Sequence, residues 1–324
     1  MSEPEPLPLD RVAELSRTVL DTVGSVVVGH RRPLELVLAG ILAGGHTLLE
    51  DLPGLGKTLT ARCLAQSLGL DFRRLQFTPD LLPADVTGSM LYNQKTGDFH
   101  YHKGPVHTQL LLADEINRTP PKTQSALLEA MQEHQVTAEG TTHPLPRPFC
   151  VLATANPIES EGTYPLPEAQ LDRFLLRVSF GYPDAEEEWT VLSRRIERRR
   201  EETELPAVVD APTLVAMQRS LENVKVDDSV GRYMVELTRA TRTHAHASVG
   251  SSPRGALALL TVSRAVAAMA GRDYVTPEDV KGIAPQALSH RVVLKPELWM
   301  NGADASQVVT EVCERVPTPS ASLS

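Results

Sequence analysis

Leu48-Leu49-Glu50-Asp51-Leu52-Pro53-Gly54-Leu55-Gly56-Lys57-Thr58 reads as a buried strand, a tight loop and the first turn of a helix. Glycines in such a loop let backbone N–H groups approach a polyphosphate, a lysine reaches its outer oxygens, and a hydroxyl ligates a divalent cation. Gly54, Gly56, Lys57 and Thr58 meet those needs, so the stretch has the form of a P-loop. The pattern G-x-x-x-x-G-K-[ST] asks for a further glycine where this chain has Asp51. The bland alternative is a Gly/Pro turn that happens to precede a helix.

Before the loop, Val12, Leu15, Val19, Leu20 and Val23 recur at helical spacing and predict a helix over 11–23; residues 33–44 predict a second. After it, residues 57–68 continue as the helix whose N-terminus faces phosphate. Strands are expected at 72–77, 109–115, 150–155 and 175–180, with hairpins around 89–102 and 135–149. A helix is expected from Pro120 to about Gln132, with Thr119 as its N-cap. The strand at 109–115 is apolar and ends in Asp114-Glu115, at the end where ligands bind in open α/β sheets. Strands alternating with helices predict an α/β fold with a parallel sheet flanked by helices. From Asp184 onward the pattern is helical, at 212–222, 228–244, 253–270 and 276–283, with no strand signal. The expected domains are 1–183, with 1–9 mobile, and an all-helical 184–316, followed by a disordered tail at 317–324.

Composition narrows the function classes. A net charge of −9 over 324 residues, with 4% aromatics, disfavours a surface built to hold and stack nucleic acid. Cys63, Cys150 and Cys313 form no C-x-x-C pair and are expected to be small reduced core residues. No signal peptide and no run of about 18 apolar residues is present, which predicts a cytoplasmic protein that does not span a membrane.

Asp114 and Glu115 are the natural second half of a P-loop site, one carboxylate holding Mg²⁺ and the other activating water. From Leu111-Leu112-Ala113-Asp114-Glu115-Ile116-Asn117-Arg118-Thr119-Pro120-Pro121 through Glu133 the chain resembles the Walker B region of MoxR-type AAA+ ATPases. The resemblance extends to 45–58, Gln76-Phe77-Thr78-Pro79-Asp80, 153–159, 166–174 and Ser252-Pro253-Arg254-Gly255-Ala256, covering roughly residues 25–290. It implies a P-loop AAA+ core with a C-terminal all-helical lid domain. An acidic residue at the position of Asp51 is common in that family's loop.

The resemblance also implies roles. ATP would lie on Pro53, Gly54, Leu55, Gly56, Lys57, Thr58 and Leu59, with Thr58 and Asp114 holding Mg²⁺ and Glu115 acting on water. Asn156 corresponds to sensor 1, Arg173 to the arginine finger offered to a neighbouring subunit, and Arg254 to sensor 2, in cis or in trans. Val28-Gly29-His30 matches the adenine-pocket segment, where glutamine is frequent in place of His30. The two hairpins match inserts that in relatives face a central pore or client, and Lys95, Phe99 and Tyr101 are candidate client contacts against the alternative of a solvated hairpin. The implied function is a chaperone-like ATP hydrolase working as a homo-oligomer, a hexameric ring, with a von Willebrand factor A domain protein as partner. A nucleic-acid motor and the ATPase subunit of a metal chelatase share this kind of core and stay open as alternatives.

Three other signals carry less. His100-x-His102 and His244-x-His246 lack a third metal ligand at a recognisable spacing. The five arginines within 194–200 read as the solvated end of a helix whose first turn holds Glu186, Glu187 and Glu188.

Overall fold

A computed structural model describes residues 4–52, 54–156, 162–199, 204–299 and 304–319. In chain order the first part comprises α1 (Leu9–Gly24), α2 (Arg31–Leu42), β1 (Thr47–Glu50), α3 (Lys57–Ser67), β2 (Phe72–Gln76), α4 (Pro83–Thr87) and the hairpin β3 (Gly88–Asn93) and β4 (Asp98–Lys103). It continues with β5 (Leu110–Asp114), α5 (Pro121–Glu133), the hairpin β6 (Gln135–Ala138) and β7 (Thr141–Pro144), β8 (Cys150–Ala155), α6 (Glu168–Leu171) and β9 (Leu176–Val178).

Five strands form one parallel sheet in the order β2-β5-β8-β1-β9. Its inner strands are buried on both faces, which explains why they read as unbroken apolar runs. Successive residues go to opposite sides. Leu49, Leu110, Leu112, Cys150 and Leu152 join one cluster, whereas Leu48, Leu111, Ala113, Val151 and Ala153 join the other. The edge strand β2 instead exposes Arg73 and Arg74, and charge on an edge discourages pairing with another chain.

The second part contains α7 (Ala185–Arg198), α8 (Ala211–Ser220), α9 (Asp228–Arg242), β10 (Ala247–Val249), α10 (Pro253–Met269), α11 (Pro277–Leu288), β11 (Val293–Leu294), α12 (Pro296–Trp299) and α13 (Ala305–Arg315). Side-chain caps set several starts: Asp184 and Thr276 form capping boxes, and Ser252 accepts from the Arg254 N–H. The packing does not break at 183/184. One apolar cluster runs from Val12 and Val19 of α1 and Val37 of α2 to Leu259 and Val262 of α10 and Val309 of α13.

Several expectations are corrected. Helix α5 starts at Pro121, not Pro120, because a residue before proline is held extended; Pro120 has ψ 153° and takes the cap position expected of Thr119. The second part is not purely helical, since β10 and β11 pair antiparallel. Strands of three and two residues are too short to show an alternating pattern. Within the segment expected to be mobile, the Leu7 N–H donates to Ser220 Oγ at 2.8 Å and the Pro4 carbonyl accepts from Arg219 at 2.7 Å. The tail expected at 317–324 lies mostly outside the described residues. Cys63 and Cys150 are buried thiols, and burial pushes Cys150 up to about 12, where it is chemically inert. Among the described residues no helix is long and apolar enough to cross a membrane.

Candidate functional site

The loop between β1 and α3 sits at the C-terminal edge of the sheet, beside the ends of β5 and β8. Gly54 and Gly56 have φ of 85° and 78°, the left-handed region that side chains resist. A Cβ on either would meet nothing within 4 Å, so both face the open space into which a phosphate fits. Lys57 closes the loop on itself, its Nζ donating to the Asp51 carbonyl at 2.7 Å. Burial lowers its pKa from 10.5, and the carboxylates of Asp51, Asp114, Glu115 and Glu50 oppose that shift.

Asp51 has a structural reason to replace glycine. Its buried Oδ2 accepts from the Phe180 N–H at 2.5 Å, the Gly181 N–H at 2.9 Å and Ser179 Oγ at 3.2 Å. The first turn of the loop is thereby tied to the link between β9 and α7. Glycine there has no carboxylate to receive those amides.

Opposite Lys57, strand β5 delivers Asp114 and Glu115. Thr154 of β8 joins them: its hydroxyl donates to Asp114 Oδ1 at 2.6 Å and accepts the Glu115 N–H at 2.8 Å. Asp114 Oδ2 accepts from Arg74 Nη2 at 2.7 Å and Nε at 2.9 Å. Glu115, with φ 57°, accepts from Gln76 Nε2 at 2.5 Å and lies 3.2 Å from Arg118 Nε. Left-handed backbone on a residue with a side chain marks a position held by its surroundings.

Two cavities meet over the loop. One, of about 410 Å³, is lined by Lys57, Thr58, Asp114, Glu115 and Asn156. The other, of about 560 Å³, is lined by Val27, Val28, His30, Tyr182, Val191 and Leu192. Both share Gly54, Gly56 and Leu59, so a polar chamber and an apolar one are divided by the same backbone. Leu55 lines the apolar side. That two-part shape matches a nucleoside polyphosphate, and the hard oxygen donors of Thr58 and Asp114 fit Mg²⁺. Gly29 turns with φ 79°, and a Cβ there would lie 2.6 Å from Glu187 Oε2 of α7. His30 is buried edge-on to Phe180 with ring centroids 5.1 Å apart. Its pKa is lowered by burial, against the pull of Glu187 and Asp51.

The arginines gather elsewhere. Asp172 Oδ1 accepts from Arg291 Nε at 2.8 Å, and Oδ2 accepts from Ser252 Oγ at 3.3 Å with Arg254 Nη1 3.6 Å away. Arg291 is buried and also donates to the Phe174 carbonyl at 2.8 Å. Arg173 follows Asp172 directly. Neither Arg173 nor Arg254 lines either cavity over the chain's own loop.

The family model "ATPase family associated with various cellular activities (AAA)" matches residues 46–176, and the AAA lid domain model matches 239–312. Chaperone MoxR1 of Mycobacterium tuberculosis is 40% identical over 95% of this chain and 83% of its own length. Protein MoxR of Methylorubrum extorquens is 30% identical over 92% and 93%. The chain belongs to the MoxR family of AAA+ ATPases. It is an ATP hydrolase, an AAA core followed by an AAA lid. YeaC of Bacillus subtilis is 50% identical over 93% of both chains. A crystal structure from Cytophaga hutchinsonii superposes with a TM-score of 0.89 at 42% identity, covering 97% of each chain.

Of the residues the MoxR resemblance singles out, Gly54, Gly56, Lys57, Thr58, Leu59, Asp114, Glu115 and Asn156 come together around one cavity. Val28 lines the adjoining one and Gly29 forms its turn. Pro53 lies outside the described residues, as do Pro157, Ile158 and Glu159. Arg254 instead faces Asp172, the residue before Arg173. Sequence reasoning did not single out Arg74, Thr154 or Asp172. A hydroxyl in the otherwise apolar strand β8 was the available signal for Thr154, and Arg74 alternating with Gln76 on β2 was the signal for a second polar row. Of the hairpin candidates, Phe99 is exposed against Tyr92 and Lys95 lies in the exposed turn. Tyr101 is held inward: His143 of the other hairpin stacks on it at 3.9 Å and its hydroxyl bonds the Thr87 carbonyl. Arg194 docks α7, donating to the Gly24 and Ser25 carbonyls at 3.2 and 2.6 Å.

Proposed function

We propose that this chain is a chaperone-like remodelling ATPase, in which each catalytic centre is completed by a neighbouring copy in a ring. The observation that carries the reading is the separation of the site into two faces. Acids and the P-loop lysine surround the chain's own cavity, while Arg173 and Arg254 lie beside Asp172 and line neither chamber.

In this mechanism Lys57 leaves the Asp51 carbonyl for the β- and γ-oxygens, and Arg74 leaves Asp114. Thr58 and Asp114 would then hold Mg²⁺, which supplies positive charge to the phosphates when bound. Glu115 takes the proton of the attacking water, and Asn156 orients that water. Arg173 enters from the next subunit to balance the charge that builds on the transferring group. Arg254 shares the carboxylate of Asp172 with that face, which supports action in trans as well. Asp51 couples the loop to residues 179–181, so a change at the phosphates reaches α7 and the lid. A hexamer is the ring proposed, and a von Willebrand factor A domain protein is the proposed partner. The name of the M. tuberculosis relative supports the chaperone role, and the cytoplasm is the proposed location.

Complementation tests the shared centre. Glu115→Gln and Arg173→Ala are each expected to reduce ATP turnover by about a thousandfold while retaining nucleotide binding. Mixing the two inactive proteins should restore turnover, because an interface with Glu115 from one subunit and Arg173 from the other is intact. A mixture as inactive as its components, with mixed assemblies demonstrated, would refute the shared site.

A further inference from the structure

We infer that His244, His246 and Glu311 form a transition-metal site on the lid. Helix α9 ends at Arg242, and the turn that follows is closed by the Ala247 N–H donating to the His244 carbonyl at 3.1 Å. That turn sets the His244 and His246 rings edge to face, with centroids 5.2 Å apart. Helix α13 brings Glu311 from far along the chain, its Oε2 3.0 Å from His244 Nε2. One ligand atom from each residue lies within 4.8 Å of the other two.

Two imidazoles and a carboxylate are a donor set that holds Zn²⁺ and leaves a position open to water, and Ni²⁺ and Cu²⁺ share the preference. Mg²⁺ favours oxygen and is not expected here. The site is built on anchored parts. The His244 side chain is 3% exposed, and the His246 carbonyl accepts from the Lys295 N–H at 3.0 Å, so the turn is fixed before any ion arrives. Coordination through His244 Nε2 moves the imidazole proton to Nδ1, where the His246 N–H now donates over 3.3 Å, so that long bond opens. Glu311 supplies the third ligand that the His-x-His spacing by itself lacks.

A bound ion would fasten α13 to the segment that leads through β10 into Ser252 and Arg254. Arg242 already secures that segment, its Nε donating to the Ser251 carbonyl at 2.8 Å. The ordinary alternative is a His244–Glu311 hydrogen bond, and it does not involve the His246 ring.

That difference gives the test, made on the full-length chain without nucleotide by titrating Zn²⁺ against a chromogenic chelator and recording the melting temperature. Wild type is expected to take up one Zn²⁺ at micromolar affinity and to melt higher with it. His246→Ala and Glu311→Gln, both at exposed positions, should weaken binding by at least the roughly tenfold that an outer-shell partner is worth, and should lose the melting shift. His100→Ala/His102→Ala should keep both. Absence of saturable uptake by wild type, or His246→Ala binding as tightly as wild type, would overturn the site.

Discussion

At the C-terminal edge of the sheet, Asp51, Asp114 and Glu115 crowd around Lys57 and Arg74; at the junction with the lid, Arg254 and Arg291 meet the single carboxylate of Asp172, the residue before Arg173. One face has acids that a metal and a phosphate would rearrange, and the other has guanidinium groups suited to an anion. Each face quiets its charge with a partner from its own chain. Arg74 stands at Asp114 and the Asp51 carbonyl holds Lys57, while Asp172 serves the arginines. In the mechanism proposed above, Arg74 and the Asp51 carbonyl give way when nucleotide and metal bind.

The sharpest way to break the comparison is Asp172→Asn. It removes the charge facing buried Arg291, and a change of that kind costs about 3 kcal/mol or more. Thermal unfolding should register it, with nucleotide binding at the other face retained in the folded protein. Unchanged stability would show that Asp172 is not the hub of the arginine face.

Asp51→Gly restores the general P-loop pattern, yet a loss of about 2 kcal/mol is expected because the Phe180 and Gly181 amides lose their acceptor. Chemical denaturation measures this, and a more stable variant would contradict the role given to Asp51. Arg74→Gln should act on the acid face alone. With Asp114 relieved of its guanidinium, the Mg²⁺ concentration needed for nucleotide binding should fall severalfold, whereas Arg173→Ala should leave it unchanged. Equal requirements in wild type and Arg74→Gln would mean that Arg74 does not compete with the cation.

The smallest effect expected is one of pH on the arginine face. Burial, then the adjacent Arg291, hold His290 well below its ordinary 6.5. Because the folded pKa is the lower one, its contribution to stability is complete above about pH 6.5 and is lost as acidification proceeds below that value. A His290→Gln variant should show a shallower fall in melting temperature over that range. An identical slope would remove His290 from the account.

Much of the acid face was legible in the chain. Gly54, Gly56, Lys57, Thr58, Asp114 and Glu115 lie within two short stretches where local pattern and chemistry coincide. The apolar runs of β5 and β8 likewise announced inner parallel strands. The partners of those residues were not legible, because Arg74, Thr154 and Asp114 come from three separate strands and meet only through the order β2-β5-β8. The ribbon of β10 and β11 was missed for a related reason: a pairing across some forty-five residues leaves no local period.

By itself the sequence determined the alternation of strands and helices, the loop that faces phosphate and the residue types able to work on it. These follow from backbone sterics and side-chain chemistry within a few consecutive residues. Only the tertiary structure decided that Asp51 holds the link between β9 and α7, that Arg74 occupies Asp114, and that Arg254 reaches Asp172, the residue before Arg173, and not its own cavity. It also placed Glu311 beside two histidines. Each of these depends on contacts between residues far apart in the chain, whose geometry is set by how the sheet and lid pack.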